Sequence, residues 1–131
     1  VEDLIDLCDE IEKNKLSLRI AYDVPQIYTA HLADSEEKYI SLLYKTRGFR
    51  KFIGGVHLWG KSISRTGRKV SHCGDLTSYF GNNEIKVNFL KSFRDCFNDG
   101  IVRRMVLEVN SGNQDLQSII TDLISVGIKF M

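Results

Sequence analysis

Residues 51–76 read KFIGGVHLWGKSISRTGRKVSHCGDL, from Lys51 to Leu76. The stretch opens on an apolar run, Phe52-Ile53-Gly54-Gly55-Val56, of the kind a strand buried on both faces shows. His57 closes the run. The chain then turns polar and basic, with Lys61, Arg65, Arg68 and Lys69, and with Gly60 and Gly67 as breakers. A second imidazole, His72, follows, with Gly74 and Asp75 behind it. A ligand-type residue at the carboxyl end of a buried strand, followed by a long basic loop, is the layout of an active-site edge in an α/β protein.

The rest of the chain supplies the alternation that such a strand requires. Upstream, 1–14 has Leu4, Leu7, Cys8 and Ile11 at the spacing of one buried helix face. This helix has no clear cap before it, and Val1 is not an initiator Met, so an upstream segment is expected. Leu16 to Tyr22 reads as a short strand that ends at Asp23, because Pro25 cannot donate to a ladder. Asp23 reads equally well as a ligand or as a turn aspartate. His31 reads as a surface or packing histidine. Asp34 with Glu37 makes a capping box for a helix over 34–47, which Gly48 ends. Arg47, Arg50 and Lys51 read as a solvated basic corner at the foot of the next strand.

Downstream of His57, Trp59 to Asn83 reads as an ordered loop of about 25 residues, and loops that long are usually functional. A helix over 84–98 follows, capped by Asn83 and stopped by Gly100. Arg104 to Val109 is the third strand, with Glu108 near its end. A carboxylate between Leu107 and Val109 in a buried strand is costly unless it is paired or metal-bound. The last helix covers 114–126, with Gly127 as its stop. The order is αβαβαβα, which calls for a parallel sheet covered by helices and joined by right-handed crossovers.

Composition sets the outer bounds. The chain has 131 residues, 43% of them hydrophobic and 27% charged, which is one globular unit rather than a disordered segment. The net charge of +1 gives no global case for nucleic acid. No apolar run is long enough for a bilayer. Three cysteines without a CxxC spacing fit a reducing compartment, so a cytoplasmic location is expected. Cys73 beside His72 is set aside as a nucleophile–base pair, since adjacent residues rarely form one.

Each predicted strand therefore ends in one ligand-type residue: Asp23, His57 and Glu108. Parallel strands put these ends on one rim. Two carboxylates and an imidazole suit a hard or borderline divalent ion such as Mn, Mg, Co or Zn.

The stretches LRIAYDVPQIYTAH, IGGVHLWGK and RMVLEVNSG resemble the last three strand ends of the xylose-isomerase-like TIM barrels. That superfamily holds sugar isomerases and epimerases and the endonuclease IV type of DNA-repair enzyme. The resemblance covers nearly the whole chain through short, degenerate motifs. It implies an α/β fold that is the carboxyl-terminal part of a (β/α)₈ barrel, with residues 1–131 forming its last three βα units and a preceding helix. It implies metal-ligand roles for Asp23, His57 and Glu108. In the barrels the first of these lies in a D-x-x-H pattern, and Gln26 stands at the histidine's place. In the endonucleases a D-x-H pair follows the seventh strand. His72 matches its histidine, while Val70 stands where the aspartate should be. A complete barrel takes ~250 residues, so a partner segment or self-association is expected to cover the exposed strand faces.

The function this implies is that of a divalent-metal enzyme of the isomerase or epimerase kind, acting on a sugar or sugar phosphate through an enediolate. The longer parent is expected to carry the activity, and the fragment alone to be inactive. Glu108 and His72 are the expected catalytic groups. Arg65, Arg68, Lys61, Gln26 and Trp59 are the expected substrate contacts, with the arginines clamping an anion. Two alternatives stand beside it. One is an endonuclease IV-like phosphodiesterase, whose basic loop tracks a DNA backbone while Trp59 or Tyr79 stacks on a base. The other is a non-catalytic interaction domain.

Overall fold

The computed structural model describes residues 1–131 throughout. Its elements are α1 (Glu2–Lys13), β1 (Ile20–Asp23), α2 (Val24–Ala30), α3 (Glu36–Thr46), a 3₁₀ turn (Arg50–Phe52), β2 (Ile53–Leu58), β3 (Lys61–Ile63), β4 (Lys69–Ser71), α4 (Leu76–Phe80), α5 (Asn83–Phe97), β5 (Arg104–Leu107) and α6 (Asn113–Ser125).

The sheet has three parallel strands in the order β1-β2-β5, with the glycine-containing β2 in the centre. Tyr22, Val56 and Met105 lie in one row across it. Their side of the sheet is the covered one: Tyr22 and Val56 are buried, and Met105 packs against the core. That core also takes Leu42 and Leu43 of α3, Phe89, Leu90 and Phe93 of α5, and Ile119 and Leu123 of α6. The next row is Asp23, His57 and Val106, which pleating turns to the opposite side. Ala21 and Arg104 on that side are exposed.

The expected part of a (β/α)₈ barrel is not what forms. The chain is a small mixed α/β domain with a three-stranded parallel sheet and a separate two-stranded antiparallel one. Neighbouring strands twist by only ~20–25°, so three of them make an open layer rather than a wall that closes. The remaining β structure goes into the hairpin β3–β4, paired Lys61 to Ser71 and Ile63 to Lys69. That hairpin lies inside the stretch expected to be a loop. Ser64 and Arg68 close its turn through a backbone hydrogen bond of 2.8 Å, and Gly67 supplies the left-handed φ of 78°. The helix α4 follows at once, capped by Asp75.

Smaller differences have local causes. Pro25 lies in the first turn of α2, where its missing N–H costs nothing, so His31 falls at the carboxyl cap of that helix. The cap of α3 is Ser35 rather than Asp34, whose carboxylate instead meets Lys38. Asn82, not Asn83, caps α5. The basic corner is not simply solvated: Arg50 donates to the Cys96 carbonyl at 2.7 Å and lies 3.5 Å from Asp99.

Candidate metal centre

The carboxyl ends of the three parallel strands form one rim, as the direction of the strands requires. Asp23 is the last residue of β1 and lies directly opposite His57 on β2. Glu108 follows the end of β5, and its N–H donates to the Leu58 carbonyl at 3.0 Å. It therefore stands one pleat beyond Val106, on the same side of the sheet as His57. One ligand atom from each of Asp23, His57 and Glu108 falls within 4.8 Å of the others. These are the three residues singled out from strand-end positions alone.

Each of them is held. The Asp23 carboxylate caps α2, with Oδ1 accepting the Gln26 N–H at 2.9 Å. The Trp59 indole N–H donates to both its oxygens, at 3.0 and 3.2 Å. His57 Nδ1 lies 2.9 Å from Glu108 Oε1. His72 Nε2 lies 3.0 Å from Glu108 Oε2. The glutamate thus lies between two imidazoles.

His72 reaches this position through backbone ties rather than by belonging to the sheet. Its carbonyl accepts the Asn110 N–H at 2.7 Å, and the neighbouring Gly74 N–H donates to Ser111 Oγ at 2.8 Å. The loop after β4 is thereby fastened to the loop after β5. His72 itself has a left-handed φ of 59°, an uncommon conformation for a residue with a side chain. Its ring lies 4.4 Å from the Trp59 ring, tilted by 33°. Gly60, between β2 and β3, lets the loop after β4 approach, since a Cβ there would overlap the carbonyl of Gly74.

The donor set fits an ion. Two ligands bound side by side at about 2.1 Å in an octahedral site are separated by about 3.0 Å, and an opposed pair by about 4.2 Å. The His57–Glu108 separation of 2.9 Å is that of a hydrogen bond, which an ion held between these atoms would replace. The 4.8 Å envelope of all three atoms exceeds the second figure by about 0.6 Å, so an ion would draw the donors inward. Around an ion, two carboxylates and one imidazole would leave coordination positions open.

The other expected contacts are distributed differently. Trp59 is 2% exposed, and its indole is used inside the protein, on Asp23 and His72. Gln26 contributes its backbone N–H, while its side chain points to solvent. Arg65 and Arg68 are exposed in the hairpin turn, and neither side chain has a hydrogen bond or ion pair with the centre. Lys61 is nearer: its ammonium lies 5.7 Å from the Trp59 ring and 5.2 Å from that of Tyr79. The indole's role as a clamp on Asp23 was missed from the sequence. The adjacency of Trp59 to the end of β2 was its one signal.

No model of a known protein family matches the chain, the xylose-isomerase-like family included, and neither curated proteins nor solved structures give a match. No helix is long and apolar enough to cross a membrane.

Proposed function

We propose that this rim binds one divalent ion, Mn, Mg, Co or Zn, and serves an isomerase- or epimerase-type proton transfer on a sugar or sugar phosphate. The observation that carries the reading is the convergence of Asp23, His57 and Glu108 within 4.8 Å at three strand ends. A bound ion would polarise substrate oxygens as a Lewis acid. The protein's own groups would do the rest. Trp59 fixes the Asp23 carboxylate, and the rings of His57 and His72 flank Glu108. The Glu108–His72 pair takes up a proton and returns it to the neighbouring carbon, with the imidazole sharing the charge. Three cysteines, all free as thiols, support placing this chemistry in the reducing cytoplasm.

A single cluster of three donors favours this one-metal reading over a phosphodiesterase that uses several ions. Titration calorimetry with Mn²⁺ tests the first half: one ion should bind, and Asp23→Ala, His57→Ala and Glu108→Gln should each abolish or severely weaken it. Solvent deuterium exchange into ketoses and ketose phosphates, followed by NMR on the Mn²⁺-loaded protein, tests the second. Absence of a bound ion overturns the site, and absence of exchange in a loaded protein overturns the reaction.

A further inference from the structure

The hairpin β3–β4 and its turn, residues 61–71, carry four cations, Lys61, Arg65, Arg68 and Lys69, and no carboxylate. The net charge of the whole chain is +1, so the remaining residues sum to −3. None of the four cations takes part in an ion pair, although Asp and Glu outnumber Lys and Arg, 17 to 14, in the rest of the chain. The register pairs Lys61 with Ser71 and Ile63 with Lys69. Paired residues share a face, so Lys61 and Lys69 are diagonal neighbours on the same side of the hairpin. Like charges so placed repel, and an anion between them removes the penalty.

Lys61 is not free to swing away. Its stem is half-buried, and its ammonium sits over the Trp59 and Tyr79 rings, 3.4 Å from Thr29 Oγ1. Partial burial, and then the charge of Lys69, hold its pKa below the usual lysine range. The ring it covers is the one whose N–H grips Asp23, so one indole separates the ammonium from the metal cluster.

We propose that Lys61 and Lys69 receive a phosphate monoester carried by the substrate, making the substrate a sugar phosphate rather than a neutral sugar. This rests on the metal-centre reading and narrows its substrate class. The two ammonium groups supply donors to a compact dianion, and no covalent step is involved. Arg65 and Arg68, out in the turn, stay in solvent. A nucleic-acid backbone would instead engage the whole basic arm, the two arginines included.

Inorganic phosphate is the probe, titrated by calorimetry at fixed ionic strength. The wild type should bind it saturably. Lys61→Met, which keeps the stem over the rings, should lose about tenfold or more in affinity, the scale of one charged hydrogen bond. Lys61→Arg should retain most of it, and the Arg65→Ala/Arg68→Ala double variant should stay within about twofold of wild type. NMR of the lysine side-chain ammonium signals in the wild type gives a readout free of any folding defect: Lys61 and Lys69 should shift with phosphate. No saturable binding, no shift at Lys61, equal losses in the lysine and arginine variants, or displacement of phosphate by a short single-stranded oligonucleotide would each overturn the proposal. Mn²⁺ titration of the same samples separates the two readings. Phosphate binding lost with Mn²⁺ binding intact removes only the subsite, and Mn²⁺ binding absent with phosphate intact removes only the metal centre.

Discussion

The buried indole of Trp59 donates its single N–H to both carboxylate oxygens of Asp23, at 3.0 and 3.2 Å. A donor outside the ligand shell that fixes a metal-binding carboxylate commonly matters almost as much as the ligand itself. Trp59→Phe keeps a large aromatic side chain and removes only that donor and some volume. The variant should remain folded, losing about 1–3 kcal/mol of stability in urea unfolding. Its Co²⁺ affinity should fall ~10–100-fold, read from the visible absorption of the bound ion. A folded Trp59→Phe protein with wild-type Co²⁺ affinity would show that the indole is only packing.

His72 offers a cleaner separation of stability from function. Its left-handed φ of 59° costs a residue with a Cβ roughly 1 kcal/mol that glycine does not incur. His72→Ala and His72→Gly both remove the imidazole from Glu108 Oε2 and from the Trp59 ring. They should therefore lower metal affinity by the same factor, ~10–100-fold. The glycine variant should nevertheless unfold at a higher urea concentration than the alanine variant, by about 1 kcal/mol. If the two differ in metal affinity instead, the backbone conformation and not the imidazole governs the site.

What the sequence made legible follows from where each property is encoded. Strand-end ligands can be read because parallel strands share a direction: Asp23, His57 and Glu108 had to meet once their strands paired in register. The helices from Glu36 to Thr46 and from Asn83 to Phe97 were readable from apolar spacing, with their bounds shifted only by the choice of cap. The hairpin was not. Lys61–Ile63 and Lys69–Ser71 are three residues each, polar and basic, and alternation over so short a run does not stand out. Belonging to part of a barrel was implied by the resemblance alone, with no residue of the chain requiring it. The Asp23–Trp59 bond joins residues 36 positions apart, beyond what spacing can reveal.

At the opposite end of the sheet the foot of β2 is tied down by Arg103. Its guanidinium takes Asp99 in a two-point grip, at 2.7 and 2.6 Å, and also donates to the carbonyls of Ile53 and Arg50. The hydrogen bonds from Arg103 are the main cause that holds the Asp99 carboxyl at about 2, against an ordinary 3.8. A depressed carboxyl pKa contributes stability above the unfolded value and loses it as pH falls through the folded one. The wild type should accordingly lose stability between about pH 4 and pH 2, by something of the order of 2 kcal/mol. Asp99→Asn should start less stable at neutral pH and show a flatter profile across that window. Urea unfolding at a series of pH values decides it; parallel profiles for the two proteins would remove Asp99 from the account.

The last prediction concerns an ion pair that the fold pays to bury. Lys86 on α5 reaches Asp122 on α6 at 2.9 Å, with side-chain exposures of 10% and 17%. The second oxygen of Asp122 is buried and has no partner. Two charges taken from water with one oxygen left unsatisfied should contribute little net stability as a pair, while either charge alone is costly. Lys86→Met leaves the carboxylate without its cation and should destabilise by about 3 kcal/mol or more. Asp122→Leu strands the ammonium and should cost a similar amount. The double variant replaces the pair with apolar groups between α5 and α6, so it should fall within about 1 kcal/mol of wild type or exceed it. A double-mutant cycle in urea reads this directly. Strictly additive losses would mean that the two side chains act through their packing and not as a pair.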